Sequence, residues 1–314
     1  MKNIFKKTHT TKTKEQVSLK SKRGVIISSV VAGVAVATGI VVSLVLINPN
    51  LFPPKARALD VEDVSELDDE IAPIMAKYQK NATKDDLTKV FNCSDLVNIA
   101  LNKVSQLESL KTITTGSIKA SIATQTVYSM YVRDGDERMY ENISAGFVKV
   151  GIRFYQDLEG VVIYKGSNVG VKTANWVDGE KEEISIDEYD DVWGKDLTRR
   201  SIYIISSKTV LDTSIAEKTS DGYKVTLDLD PTYGSARYVK QMVQTSGLDK
   251  DPVFYSIKLT YELDNDLLIK HVDMNSNYDV HAVTWVNSDE RLEEQYYYGD
   301  YEIPSLTEDC DYID

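Results

Sequence analysis

The sequence predicts an α+β fold: an N-terminal membrane-spanning helix, then a curled, largely antiparallel sheet, an unclosed half-barrel covered by helices. Three observations carry that expectation. From Val25 to Ile47 the chain runs 23 residues without a charge, long enough to cross the roughly 30 Å hydrocarbon core as a helix. From Lys111 onward apolar residues recur at every second position in run after run, the period of half-buried strands. Those runs are parted by short Gly, Asp and Asn turns, so neighbours in sequence pair locally and antiparallel.

Residues 1–23 hold eight Lys or Arg against the single acid Glu15, whereas the chain after Ile47 holds 28 basic and 48 acidic residues. The overall charge of −13 therefore averages two opposite ends. By the positive-inside rule, residues 1–23 are expected as a cytoplasmic tail, 24–47 as a single-pass transmembrane helix in the plasma membrane, and the acidic remainder on the extracytoplasmic side. The tail's only aromatic is Phe5, so it offers no ring for stacking on bases and no nucleic acid is expected. "ARA" at 56–58 resembles a signal-peptidase site but lies well past the apolar run, and the anchor reads as uncleaved.

Residues 48–82, with Pro49, Pro53 and Pro54 and the acidic "VEDVSELDDE", read as a linker, and 83–314 as one extracytoplasmic α+β domain. Thr83 before "KDD" and Ser94 before "DLVNIALNKVSQL" read as helix caps. Leu96, Ile99, Ala100, Val104 and Leu107 recur at three- and four-residue steps, one apolar stripe that wants a sheet beneath it. Eight alternating runs follow, from "TITTGSIKASIA" through "SIYIISSKTVLD" to "YDVHAVTWV". Asp264-Asn265-Asp266 is expected as a left-handed hairpin turn. Pro231 opens a second helix over "PTYGSARYVKQMVQTSGL", and the charged stretch 177–200 reads as a lid-like excursion with a helical turn.

No H-E-x-x-H, G-x-S-x-G, P-loop or dinucleotide fingerprint occurs. No catalytic residue, metal site or cofactor is expected, and the chain reads as a non-enzyme. His271 and His281 lack companions at ligand spacing and read as surface residues; the acidic runs lack an EF-hand's turn glycine and read as solvated turns. Cys93 and Cys310 both fall on the exported side, where a disulfide is permitted, though sequence gives no distance between them and two unpaired thiols fit equally well.

The order of elements resembles the lipoprotein-carrier group of bacterial envelopes, the LolA/LppX-like family. The resemblance lies in "LVNIALNKVSQLESLKTITTGSIKASI", a helix running into the first strand, and in "YKVTLDLDPTYGSARYVKQMV" followed by "VFYSIKLTYELDNDLLIKHVDMNSNYDV". It covers about residues 90–303. It implies an apolar cavity between sheet and helices, holding a lipid or lipid-linked envelope molecule. The candidate wall is Val148, Val150, Ile152, Phe154, Val225, Leu227, Leu229, Ile257, Leu259, Tyr261 and Leu263. Trp176 and Trp193, flanking the excursion, are candidates for the cavity mouth or a partner surface. The membrane anchor departs from the family's cleaved or lipidated members and argues against free shuttling. Two alternatives stay open: those same strand residues form a filled core, and the acidic domain docks an envelope protein partner as a scaffold subunit of a secretion- or conjugation-type complex.

Overall fold

The computed structural model describes residues 55–59, 64–120, 123–146, 149–170, 172–186, 188–189, 201–246, 248–281 and 285–308. The predicted tail and span, residues 1–47, lie outside them, as do Val148, Trp193 and Cys310. Among the described residues no helix is long and apolar enough to cross a membrane.

Eleven strands form one open antiparallel sheet in the order β6-β5-β4-β3-β2-β1-β11-β10-β9-β8-β7. They are β1 Ser109–Ala120, β2 Ala123–Asp134, β3 Glu137–Ala145, β4 Lys149–Gln156, β5 Val161–Ser167, β6 Asn175–Ile184, β7 Ile215–Lys218, β8 Tyr223–Leu229, β9 Val253–Leu263, β10 Ile269–His281 and β11 Trp285–Tyr298. Helices that accompany them among the described residues are α1 Ile71–Asn81, α2 Cys93–Ser105 and α3 Ala236–Ser246. The longest-range pairing is β1 with β11, from Leu110 opposite Tyr298 to Ala120 opposite Ser288. It joins the N- and C-terminal halves of the sheet, while β6 and β7 form its edges.

The α2 stripe lies where its spacing predicts. Leu96, Val97, Ile99, Ala100 and Val104 are all fully buried, packed in one cluster with Val225, Leu227, Leu229, Ile257, Leu259, Tyr261 and Leu263 of β8 and β9. The cap is Asn92 rather than Ser94: Asn92 Oδ1 accepts from the Asp95 amide at 2.7 Å and from the Ser94 hydroxyl at 2.9 Å. Thr83 starts no helix; Asp86 caps a single 3-10 turn, Leu87–Lys89, instead.

Four further expectations change. Part of the 48–82 linker folds as α1, which buries no residue completely but packs Ile74, Met75 and Tyr78 at three- and four-residue steps against the core. The first part of the stretch expected as a charged excursion is the edge strand β6, where the Lys165–Glu180 and Lys181–Glu183 pairs belong to a solvent-facing margin, and its residues 190–200 lie outside the described ones. "SIYIISSKTVLD" is no strand. Tyr203, Ile204 and Ile205 are buried, but their segment is held by turns: Thr209 Oγ1 donates to the Ile204 carbonyl at 2.7 Å, and the Ile204 amide donates to the Gly234 carbonyl at 2.9 Å. In the β9–β10 hairpin the left-handed residue is Leu267, at φ 60°, not Asn265; Asp264 Oδ1 accepts from the Asp266 and Leu268 amides and shapes the turn around it.

The β1–β11 seam depends on Gly116. A Cβ there would lie 2.1 Å from the Arg291 carbonyl oxygen and 2.8 Å from Leu292 Cα, at φ +158°. Gly116→Ala is expected to cost about 3 kcal/mol, the upper end of overpacking losses, because both obstacles are backbone. Chemical denaturation of the variant against the parent chain checks it; a loss within 0.5 kcal/mol, the ordinary range for surface changes, would show that the seam can spread.

Candidate functional site

Strand registers sort the candidate residues by face. The pairs Leu110–Arg133 and Thr112–Tyr131, Tyr131–Tyr140, Tyr140–Phe154 and Ser144–Val150 place Val150, Ile152 and Phe154 on the same face as α2. The seven candidates of β8 and β9 share that face, through β10 and β11.

The two groups meet different surroundings. The β8–β9 group is packed against the helices and every member is buried. That end of the helix-bearing face is a filled core. On β4, Phe154 is buried under Tyr189, ring edge to face at 5.4 Å, with Val161 and Ile163 beside it. Between these two covers runs a strip of half-buried residues: Ile118 on β1, Val127 on β2, Tyr140, Asn142 and Ser144 on β3, Val150 and Ile152 on β4, and Leu292 on β11. Ser129 sits in the strip's floor, where Asn142 Nδ2 donates to its hydroxyl at 2.7 Å and the Tyr140 hydroxyl approaches at 3.3 Å. The strip is an apolar surface with a few fixed hydroxyl and amide groups, the composition of a binding surface for a largely apolar ligand.

At its β11 end lies a carboxylate that sequence reasoning missed. Glu290 is 3% exposed and opposite Ile118 in the sheet. Its oxygens accept from Tyr238 at 3.1 Å, Tyr203 at 3.3 Å, and Tyr278 and Ser276 at 3.4 Å each. Tyr203 and Tyr238 meet edge to face at 5.5 Å, and Phe254 stacks on Tyr278 at 4.7 Å. The group thus ties β10, β11, α3 and the 201–205 segment together. Burial pushes the Glu290 carboxyl above its ordinary range, with the hydroxyl donors opposing, and the same burial and the Glu290 charge push all three tyrosines up. In "SDERLEEQ" Glu290 looks like one more solvated charge; only the alternation of Ser288, Glu290, Leu292, Glu294 and Tyr296 would place it on the covered face.

A raised carboxyl favours the protonated folded form, so this contribution to stability is complete below the ordinary Glu range and is lost as pH rises through the folded-state pKa. Glu290→Gln removes that loss. The melting temperature of the Gln variant minus that of the parent is therefore expected to grow from pH 4 to pH 8, and a difference that stays constant would contradict the assignment.

The opposite face carries its own cover at the other end of the sheet. Met130, Val132 and Met139 lie under Tyr301, Ile303 and Leu306 of the C-terminal segment. Beside them Arg153 and Glu141, both fully buried, form an ion pair: Arg153 donates to Glu141 Oε2 through Nε at 2.7 Å and through Nη2. Arg153 also donates to the carbonyls of Ser305 at 3.1 Å and Glu308 at 3.0 Å, and its guanidinium lies 4.2 Å from the Trp176 ring centre. Trp176, expected at a cavity mouth, is buried on this opposite face with Ile113, Tyr128 and Ile143.

Among the cavities lined by described residues, two have defined walls. One, of about 280 Å³, lies among Asp68, Asn98, Asn102, Ser201, Tyr203 and Arg237, where Arg237 pairs with Asp68 at 2.7 Å. The other, of about 370 Å³, lies among Asn168, Thr173, Ala174, Asn175, Trp176 and Thr307. None of the apolar wall candidates lines either. Among the described residues no cluster of His, Cys, Asp and Glu could hold a metal ion. Cys93, at the start of α2, carries a free thiol whose pKa burial pushes up.

No family model matches the chain, and no curated protein matches it. Among solved structures it is similar to the lipoprotein LppX of Mycobacterium tuberculosis, with 8% identity over 68% of this chain and 97% of that one and a TM-score of 0.33. Two dehydratases also align: CurK, at 9% identity over 66% of this chain and 84% of that one, and the N-terminal dehydratase of the difficidin assembly line, at 8% over 67% and 83%. Both have a TM-score of 0.12. Similarities of this size carry no functional argument.

Proposed function

We propose that this chain is a non-catalytic, membrane-anchored binding protein that holds a lipid or lipid-linked envelope molecule along the half-buried strip of its sheet. In this reading residues 1–23 stay in the cytoplasm, 24–47 anchor the chain in the plasma membrane, and the domain from the first helices onward works on the extracytoplasmic side. The observation that carries it is the uneven cover of one apolar face: helices fill it over β8 and β9, Tyr189 caps it at Phe154, and between them Ile118, Val127, Tyr140, Val150, Ile152 and Leu292 are only half buried. Apolar surface left partly open in this way gains by covering an acyl chain, at roughly 25 cal/mol per Å² removed from water. The ligand wall of this reading is therefore Val150 and Ile152 with the strip around them, while the β8–β9 candidates serve as its foundation.

The packing of those β8–β9 residues favours a second reading, a scaffold subunit whose strip meets a protein partner. One titration separates the two. A fluorescent acyl probe added to the full chain is expected to bind saturably, and Ile152→Asp, which sets a charge in the strip, to weaken it by about tenfold, or about 1.4 kcal/mol. Equal binding by parent and variant would remove the lipid reading.

A further inference from the structure

We infer that the cavity between the β5–β6 turn and the C-terminal segment is a saccharide-binding site, separate from the strip and on the other face of the sheet. Its wall is made of Asn168, Thr173, Ala174, Asn175, Trp176 and Thr307, without one charged side chain. An ionic ligand would find no counter-charge there. Amide and hydroxyl side chains both donate and accept, the match that sugar hydroxyls, also donors and acceptors, require. At about 370 Å³ the space is at the small end of the roughly 300–1,000 Å³ found for ligand sites, a size for one or two sugar rings rather than a folded partner.

A second observation points to a ligand independently. Trp176 is 2% exposed, and its Nε1–H is buried without an acceptor among the described residues. A buried donor left unsatisfied is costly, and a ligand oxygen that reached it would remove that cost. The ring itself is held in place: the Arg153 guanidinium covers it, and Gly166 makes room for the segment that carries it, since a Cβ there would lie 2.6 Å from Ala174 Cβ and 3.1 Å from the Trp176 ring. The rim is shaped as well. Asn168 sits in the left-handed region at φ 48°, and the Gly170 amide donates to the Thr173 carbonyl at 2.7 Å, closing the turn that presents both side chains.

The test is saturation-transfer NMR on the full chain in a detergent without a sugar headgroup, with glucose, N-acetylglucosamine and the β-1,4-linked trimers of each as probes. At least one probe is expected to receive transfer and to titrate saturably. Asn168→Gly keeps the left-handed backbone and removes the amide; Thr173→Val removes the hydroxyl; Trp176→Phe keeps a ring and removes the N–H. Each is expected to weaken binding about five- to tenfold while the acyl-probe isotherm stays unchanged, so this site and the strip fail separately. If Trp176→Phe does not fold, the two rim variants decide. Transfer to none of the four probes, or binding that Asn168→Gly and Thr173→Val leave unchanged, overturns the inference.

Discussion

Replacing Arg153 by Met is expected to destabilise the domain by about 3–5 kcal/mol, because it leaves the Glu141 charge buried without its partner. Glu141 and Arg153 have no exposed side-chain surface, so solvent screens nothing. The same change removes two donors from the Ser305 and Glu308 carbonyls, and the C-terminal segment should become cleavable by protease before the rest of the chain unfolds. The double replacement Glu141→Leu with Arg153→Met should recover most of the stability, since a buried pair and an apolar pair of similar volume often come out nearly equal. It should not restore protection of residues 300–308. Denaturant melts and limited proteolysis of the single and the double variant beside the parent check both halves; a single variant as stable as the parent would mean that the pair is hydrated in solution.

Leu227→Ala is expected to cost about 2–5 kcal/mol, the range for truncating a large side chain in a close-packed core. Leu227 is fully buried on β8, opposite Leu259 and in one cluster with the α2 stripe. The measurement bears on the choice between hollow and filled, since a residue lining an open cavity would lose far less on truncation. A loss below 1 kcal/mol would reopen the cavity reading for β8 and β9.

What could be read from the sequence follows from which elements expose one face to water. The α2 stripe, strand β8 and residues 257–263 of β9 keep a clean core-and-solvent pattern, with Lys258 and Glu262 outward beside Leu259, Tyr261 and Leu263, so their patterns were visible. The β6 strand was not: at the edge its side chains alternate between charges rather than between apolar and polar, and only the register with β5 reveals it. In the 201–210 segment the signal misled in the other direction, because Tyr203, Ile204 and Ile205 are buried by a loop tied to Gly234 rather than by a strand. Glu141, Arg153 and Glu290 were invisible for a common reason. Each is a charge on a covered face, and that placement needs partners 12 residues away for Arg153 and Glu141 and 52 and 87 residues away for Tyr238 and Tyr203 with Glu290.

The strip was half legible. Val150 and Ile152 stood among the expected wall residues, whereas Tyr140, Ile118 and Leu292 join them only because β1 lies between β2 and β11. Sequence alternation cannot say which stretch of one apolar face the helices cover, since that depends on where α2 and α3 cross the sheet.

The most direct measurement of the central claim is photolabelling of the full chain in lipid vesicles with an acyl-chain probe, followed by peptide mapping. The binding reading predicts label on two separate regions: the apolar 25–47 segment, and the strip, in peptides covering 138–156 of β3 and β4. Label confined to 25–47, with none on the strip at saturating probe, would contradict it and leave the sheet as a scaffold.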